Sequence, residues 1–137
     1  MRKIIIIGLF TFHFIFIHVS AQTNPQIEIF DISKNEVIKR VDTNSNLYQD
    51  ASRFLEGITG IYVGISPIPK EGYMIKIPLD PEILVKNQWL NKLLDEVIII
   101  FPTQENPYLM VFDNNRPLFF NFEGDTQSFL EKLNFSF

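Results

Sequence analysis

The run Asp95-Glu96-Val97-Ile98-Ile99-Ile100-Phe101-Pro102 is followed by Tyr108-Leu109-Met110-Val111-Phe112, the break Asp113-Asn114-Asn115-Arg116, and Leu118-Phe119-Phe120-Asn121-Phe122. This stretch decides the fold. β-Branched and aromatic residues dominate it, each run is too short for a separate helix, and Pro or Asn closes it, so three adjacent antiparallel strands are predicted. Asn tolerates positive φ, so Asn114-Asn115 predicts a two-residue turn. Asp113 then opposes Arg116, and Val111, Met110, Leu109 and Tyr108 oppose Leu118, Phe119, Phe120 and Asn121. One face carries Leu109, Val111, Leu118, Phe120 and Phe122 and suits a layer of helices. The other carries Tyr108, Met110, Phe112, Phe119 and Asn121, a mixture of aromatic and Met side chains of the kind enriched at binding surfaces. Tyr108, Met110, Phe112 and Phe119 are therefore the candidate partner-binding face, expected to be at least partly open. The alternative is that the Gln88–Leu94 segment or an N-terminal hairpin covers it.

Upstream, Ile27-Glu28-Ile29-Phe30 and Val37-Ile38-Lys39-Arg40-Val41 flank the turn-prone Ser33-Lys34-Asn35 and predict a hairpin. Leu47, Ala51, Phe54, Leu55 and Ile58 then fall on one helical stripe, with Ser45 or Asn46 as the cap and Gly57 or Gly60 as a left-handed terminator. Ile61–Ile65 reads as a strand, Pro67–Gly72 as a rigid turn, Tyr73–Ile77 as an alternating strand and Glu82–Lys86 as another short one. Trp89, Leu90, Leu93, Leu94 and Val97 keep helical spacing, which predicts a helical turn or two between Gln88 and Leu94. Asp125 is the expected N-cap of a closing helix through Lys132. The links are too short for parallel crossovers, so the fold class is α+β: an antiparallel sheet of about six to seven strands with two main helices packed on one face.

Residues 1–21 stand apart from this pattern. Arg2-Lys3, an apolar run from Ile4 to Val19 and the ending Val19-Ser20-Ala21 form a secretory signal peptide, so the mature chain is expected to be a single α+β domain over 22–137, secreted or extracellular. An uncleaved membrane anchor is the alternative. It is opposed by His13 and His18 inside the run and by the small residue at 21. Cleavage takes the twelve basic residues to ten against sixteen acidic ones, a net charge of −6 that disfavours nucleic acid and anionic lipid. The chain has no cysteine, so packing and not disulfides must hold it together.

Pro67-Ile68-Pro69, Gly72-Tyr73-Met74-Ile75-Lys76-Ile77-Pro78-Leu79, Asp95–Phe101 and Pro107-Tyr108-Leu109-Met110-Val111-Phe112-Asp113 resemble a group of small exported proteins of Bacillus-type bacteria. The likeness covers roughly Asp42 to Phe137. That group has no assigned function, and its shared motifs are turn and core residues, so the resemblance implies a compartment and no catalytic residue.

Both histidines lie in the leader, so the mature chain has neither His nor Cys. This removes the commonest general base and the soft metal ligands, and neither a cofactor nor a metal is expected. A Ser–Lys pair would have to come from Ser33, Ser52, Ser66 or Ser128. Catalytic carboxylates would come from Asp80 with Glu82, Asp95 with Glu96, or Glu123 with Asp125. Each acid has a plainer role in a turn, a strand start or a helix cap. Asp113-Asn114-Asn115 lacks the glycine and distant Glu of a calcium loop, Gly57-Ile58-Thr59-Gly60 lacks the basic company of a nucleic-acid clamp, and Trp89 suits packing beside Leu90 and Leu93 better than a sugar platform. Asn134-Phe135-Ser136 forms a glycosylation sequon. The reading is an exported, non-enzymatic module that binds a protein or peptide partner, or its own copy, through a sheet face. The alternatives are a carboxylate-dependent hydrolase and a carrier of apolar ligands. The first test is the mature N-terminus: mass spectrometry of the exported protein is expected to find Gln22, and an intact Met1 on membrane-bound protein would exclude the cleaved leader.

Overall fold

The computed structural model describes residues 25–64 and 67–137; the expected signal peptide over 1–21 therefore lies outside the described residues, as do residues 22–24, Ile65 and Ser66. The elements are β1 (Gln26–Asp31), β2 (Glu36–Asp42), α1 (Ser45–Glu56), β3 (Ile58–Ile61), β4 (Gly72–Lys86), β5 (Asn91–Pro102), β6 (Tyr108–Asp113), β7 (Arg116–Phe122) and α2 (Thr126–Lys132). Seven strands make one antiparallel sheet in the order β2-β1-β4-β5-β6-β7-β3. The α+β class with an antiparallel sheet is thus the observed one.

The central meander has the register that its turn dictates. Asn114 and Asn115 both hold positive φ, at 52° and 68°. Asp113 pairs with Arg116, Val111 with Leu118, Met110 with Phe119 and Leu109 with Phe120. The first hairpin turns where Ser33-Lys34-Asn35 predicts. The carboxylate of Asp31 accepts from the Lys34 backbone N–H at 3.1 Å and from Ser33 Oγ at 3.0 Å. These bonds, the Lys34 N–H foremost, hold its pKa below the usual carboxylate value.

Both helices lie on one face of the sheet. Leu47, Ala51, Phe54 and Leu55 of α1 and Phe129, Leu130 and Leu133 at α2 pack with Ile27, Ile29, Ile75, Ile77, Val97, Ile99, Leu109, Val111 and Phe120. Phe54 joins the layers through edge-to-face contacts with Phe122 and Phe129, at 5.3 and 5.5 Å between centroids. Asp50, whose side chain is only 10% exposed, ties the helices by accepting from Arg53 and Lys132, both at 2.8 Å.

The caps correct the expected ones in part. Asn44, not Ser45 or Asn46, caps α1 by accepting from the Leu47 N–H at 2.9 Å, whereas Asp125 caps α2 as expected, accepting from the Ser128 N–H. Gly57 ends α1, but at φ −86° and not in the left-handed region. Its glycine is needed for space, because a Cβ there would strike the carbonyl of Glu123, whose N–H donates to Gly57 O at 2.9 Å. The strand expected at Ile61–Ile65 is instead Ile58–Ile61, so Ile58 belongs to β3 and not to the helical stripe. Tyr62, Val63 and Gly64 follow the strand, and Ile65 lies outside the described residues.

The largest departure is between Leu79 and Leu94. Glu82–Lys86 is no separate strand, and Gln88–Leu94 is not helical. Instead β4 and β5 form one long hairpin, pairing as Pro78 with Glu96 and then Ile83 with Leu94, so that Leu79-Asp80-Pro81-Glu82 arches out opposite Asp95 alone. The Asp80–Pro81 peptide is cis. The hairpin turns at Asn87–Leu90, where Asn87 Oδ1 accepts from the N–H groups of Trp89 and Leu90. The arch changes the phase of alternation along β5. Leu90, Leu94 and Val97 are consequently all buried in the main core, at a spacing that imitates a helix.

Ile99 lies at the middle of this core and is fully buried. Ile99→Ala is expected to destabilise the fold by about 2–5 kcal/mol, measured by urea denaturation.

Candidate functional site

β5 is buried on both faces, since Val97, Ile98, Ile99, Ile100 and Phe101 all lie below 9% exposure. The second face therefore needs a cover, and the chain path supplies one. β3 pairs with β7 at one edge while β4 lies between β1 and β5, so the β3–β4 connection must pass β7, β6 and β5. Tyr62 donates its backbone N–H to Phe119 O at 3.0 Å, and its ring stacks on Tyr108 at 3.8 Å and 13°. The Tyr108 hydroxyl donates to Pro67 O at 2.6 Å and that of Tyr62 to Glu105 at 2.9 Å. Ile98, Ile100, Tyr108 and Met110 form a second small core under Tyr62, Met74 and Phe119.

The four residues expected to make a binding face are thus divided. Tyr108 and Met110 are buried, Phe119 is half-buried and Phe112 is exposed. Neither segment named as a cover does the covering; Tyr62 and the chain at Pro67 do. Toward the β1 edge the same face turns polar, with Glu28 bridging Arg40 at 3.2 Å and Lys76 at 3.6 Å.

The carboxylate pairs are also dispersed. Asp80 and Glu82 stand exposed on the arch, Asp95 faces the arch, Glu96 opposes Pro78, and Glu123 and Asp125 flank the start of α2. Among the described residues no three acids converge to hold a metal. Ser33 is engaged with Asp31, Ser66 lies outside the described residues, and Ser128 borders a small cleft with Asp50, Asp125 and Lys132. Gly57-Ile58-Thr59-Gly60 ends α1 and enters the edge strand β3. Trp89 is half-buried against the main core, and Asn134 is exposed at φ 56° in the turn that ends α2.

A different place brings functional material together. Between α1 and the outer half of β4 lies a groove of 310 Å³ lined by Ser52, Leu55 and Glu56 on the helix and by Ile83, Leu84, Val85, Lys86 and Asn87 on the strand. Leu55 and Val85 are buried and Ile83 is half-buried, so its floor is apolar. Ser52, Glu56, Lys86 and Asn87 form a polar rim. On the other side of the arch a second cleft of 450 Å³ is bordered by Thr43, Asn44, Ser45, Tyr48, Pro78, Asp80 and Pro81. Tyr48 separates the two by donating its hydroxyl to Pro81 O at 2.7 Å, which pins the arch to α1.

Sequence reasoning missed this groove because Leu79-Asp80-Pro81 makes β4 read as two short strands. The mismatch in length, six residues in β1 against fifteen in β4, becomes visible only once β4 is known to run through Pro81 as one strand. Comparison of the chain with protein-family models, with curated proteins and with solved structures gives no match in any of the three.

The tyrosine pair makes a prediction about alkaline stability. Burial is the first cause that raises both phenols above their ordinary value of 10.0, and the Glu105 carboxylate adds to the effect on each. The neutral phenols are favoured in the folded state, so their contribution is complete below about pH 10 and is lost as pH rises through the elevated pKa values. Thermal melts are expected to show a steep alkaline fall that Tyr62→Phe makes shallower. An alkaline limb unaltered in both Tyr62→Phe and Tyr108→Phe would refute the assignment.

Proposed function

We propose that the chain is an exported, non-enzymatic binding module that holds a protein or peptide partner in the secreted or envelope fraction. The observation that carries this reading is the groove between α1 and the β4 arm, whose apolar floor and polar rim suit ligand binding. The leader sequence supports export, and the resemblance to small exported proteins agrees with it.

The other readings have less behind them. A carrier needs an apolar interior with room, but the layer between helices and sheet is filled by side chains such as Ile27, Leu55, Ile99 and Phe129, all at 1% exposure or less. For a carboxylate hydrolase, Asp80 and Glu82 on the arch are the available pair. They sit on either side of Pro81; Asp80 borders the second cleft, and Glu82 lines neither that cleft nor the groove.

The test is occupancy of the groove. Ser52 is half-buried on its helical wall, so Ser52→Trp would fill it while leaving the core stripe intact. Affinity purification from the secreted and envelope fractions is expected to recover a partner with the wild-type protein and to lose it with Ser52→Trp at unchanged circular dichroism. Recovery of the same proteins by both would overturn the reading.

A further inference from the structure

We infer that the groove takes its ligand by strand addition: an extended peptide pairs with the open edge of the β4 arm. The inference rests on the binding reading above and specifies its mode. Side chains of a strand alternate between faces, so a cavity lying over one face is lined by every second residue. Here five consecutive residues, Ile83 to Asn87, line it. Such a cavity runs along the backbone edge.

That edge has no strand on it among the described residues. β5 pairs with Ile83–Lys86 on one side, while on the other side β1 pairs with β4 only at Tyr73–Lys76. The direction of the backbone groups follows from the turn. Asn87 N donates to Leu90 O at 2.9 Å, so Asn87 is in a hydrogen-bonded pair with β5. Alternation along an antiparallel ladder then directs Val85 and Ile83 toward β5 and turns the N–H and C=O groups of Leu84 and Lys86 to the open side. Two donors and two acceptors therefore face the groove at the two-residue repeat of a β-ladder, about 6.8 Å.

Only an extended polypeptide matches this repeat while placing alternate side chains over Leu55, Ile83 and Val85. The four strand residues Ile83–Lys86 span roughly 13 Å, enough for a ligand segment of about four residues. The arch pinned by Tyr48 bounds one end and the Asn87 turn the other. The two outer edges of the sheet are less suited to addition. β2 is bulged against β1 and carries Glu36, Lys39 and Arg40, and β3 is four residues long with its own register shift. Charges, bulges and short length all discourage strand pairing. The open stretch of the β4 arm, Ile83–Lys86, is also four residues long, follows a register shift and ends at Lys86. What sets it apart is that Ile83, Leu84 and Val85 are uncharged, pair with β5 without a shift between them, and have α1 as a wall beside them.

The experiment pans a phage-displayed library of random dodecapeptides on the purified protein and resynthesises the enriched peptides. The side chain of Leu84 is 60% exposed, so Leu84→Ala tests the side chain alone. Leu84→Pro removes the outward N–H at a position where an edge strand tolerates proline. The expected result is a loss of about tenfold or more in Leu84→Pro relative to Leu84→Ala, at unchanged melting temperature. N-methylation of alternate residues of the peptide should cause the same loss with the wild-type protein, which keeps the test valid if Leu84→Pro fails to fold. Peptides that tolerate N-methylation at every position, or that bind Leu84→Pro undiminished, would overturn strand addition and leave the groove as a binding site of another mode. Concentration-dependent dimers abolished by Leu84→Pro would overturn the peptide ligand in favour of a second copy on the same edge. A selection that yields no peptide overturns the inference, whereas the Ser52→Trp comparison judges the binding reading by itself.

Discussion

A strand that is apolar on both sides cannot be satisfied by one layer of helices. β5 presents five consecutive buried residues from Val97 to Phe101, and the architecture follows from covering both of its faces. α1 and α2 cover one face. The other is covered by the return path from β3, which brings Tyr62 onto Tyr108. A buried phenol needs an acceptor, and the carbonyl of Pro67 provides it, so the cover is fixed by a directional bond as well as by stacking. The positions of β3 and β4 in the sheet are what make that path available: with β3 at the far edge, the chain has to recross three strands to reach its place beside β1.

Much of this was legible in the sequence because local rules and packing agree. Asn114-Asn115 sets the turn, the turn sets the register, and the register assigns Leu109, Val111 and Phe120 to the helical side. The signals that failed did so where one local rule had two outcomes. Leu90, Leu94 and Val97 have helical spacing, and so do buried residues of a strand whose phase is shifted by an arch on its neighbour. Gly57 reads as a left-handed terminator, yet its purpose is to let the Glu123 carbonyl come close. The division of Tyr108 and Met110 from Phe112 was out of reach for a different reason. It depends on a loop that crosses three strands, and nothing in the meander encodes that loop. The run Val97–Phe101 did hold a hint, since a half-exposed strand would alternate and this one does not.

The groove arises from the same irregularity that concealed β4. The strand is more than twice as long as β1, and beyond Lys76 it has no strand on its β1 side among the described residues. The arch at Leu79–Glu82 sits where the sheet gives way to the free arm. Tyr48 holds the arch against α1, which keeps the helix alongside the arm and sets the width of the gap. Helix, arch and edge are thus one unit in which each part positions the others. The apolar floor is continuous with the main core through Leu55 and Val85, so the site is backed by packed side chains.

The placement of β3 also governs the order in which the fold can assemble. Its partner is the last strand of the sheet, and Asn121 reaches Ile61 across sixty residues of chain. During synthesis from the N-terminus, β3 has no strand to pair with until β7 emerges. The crossing segment that carries Tyr62 likewise waits for Tyr108. Pairing of such sequence-distant strands is slow, because the entropy of closing the loop is spent before the contacts form. Pairing of β3 is therefore a late event, and a nascent chain stopped before Arg116 leaves β3 without its partner strand.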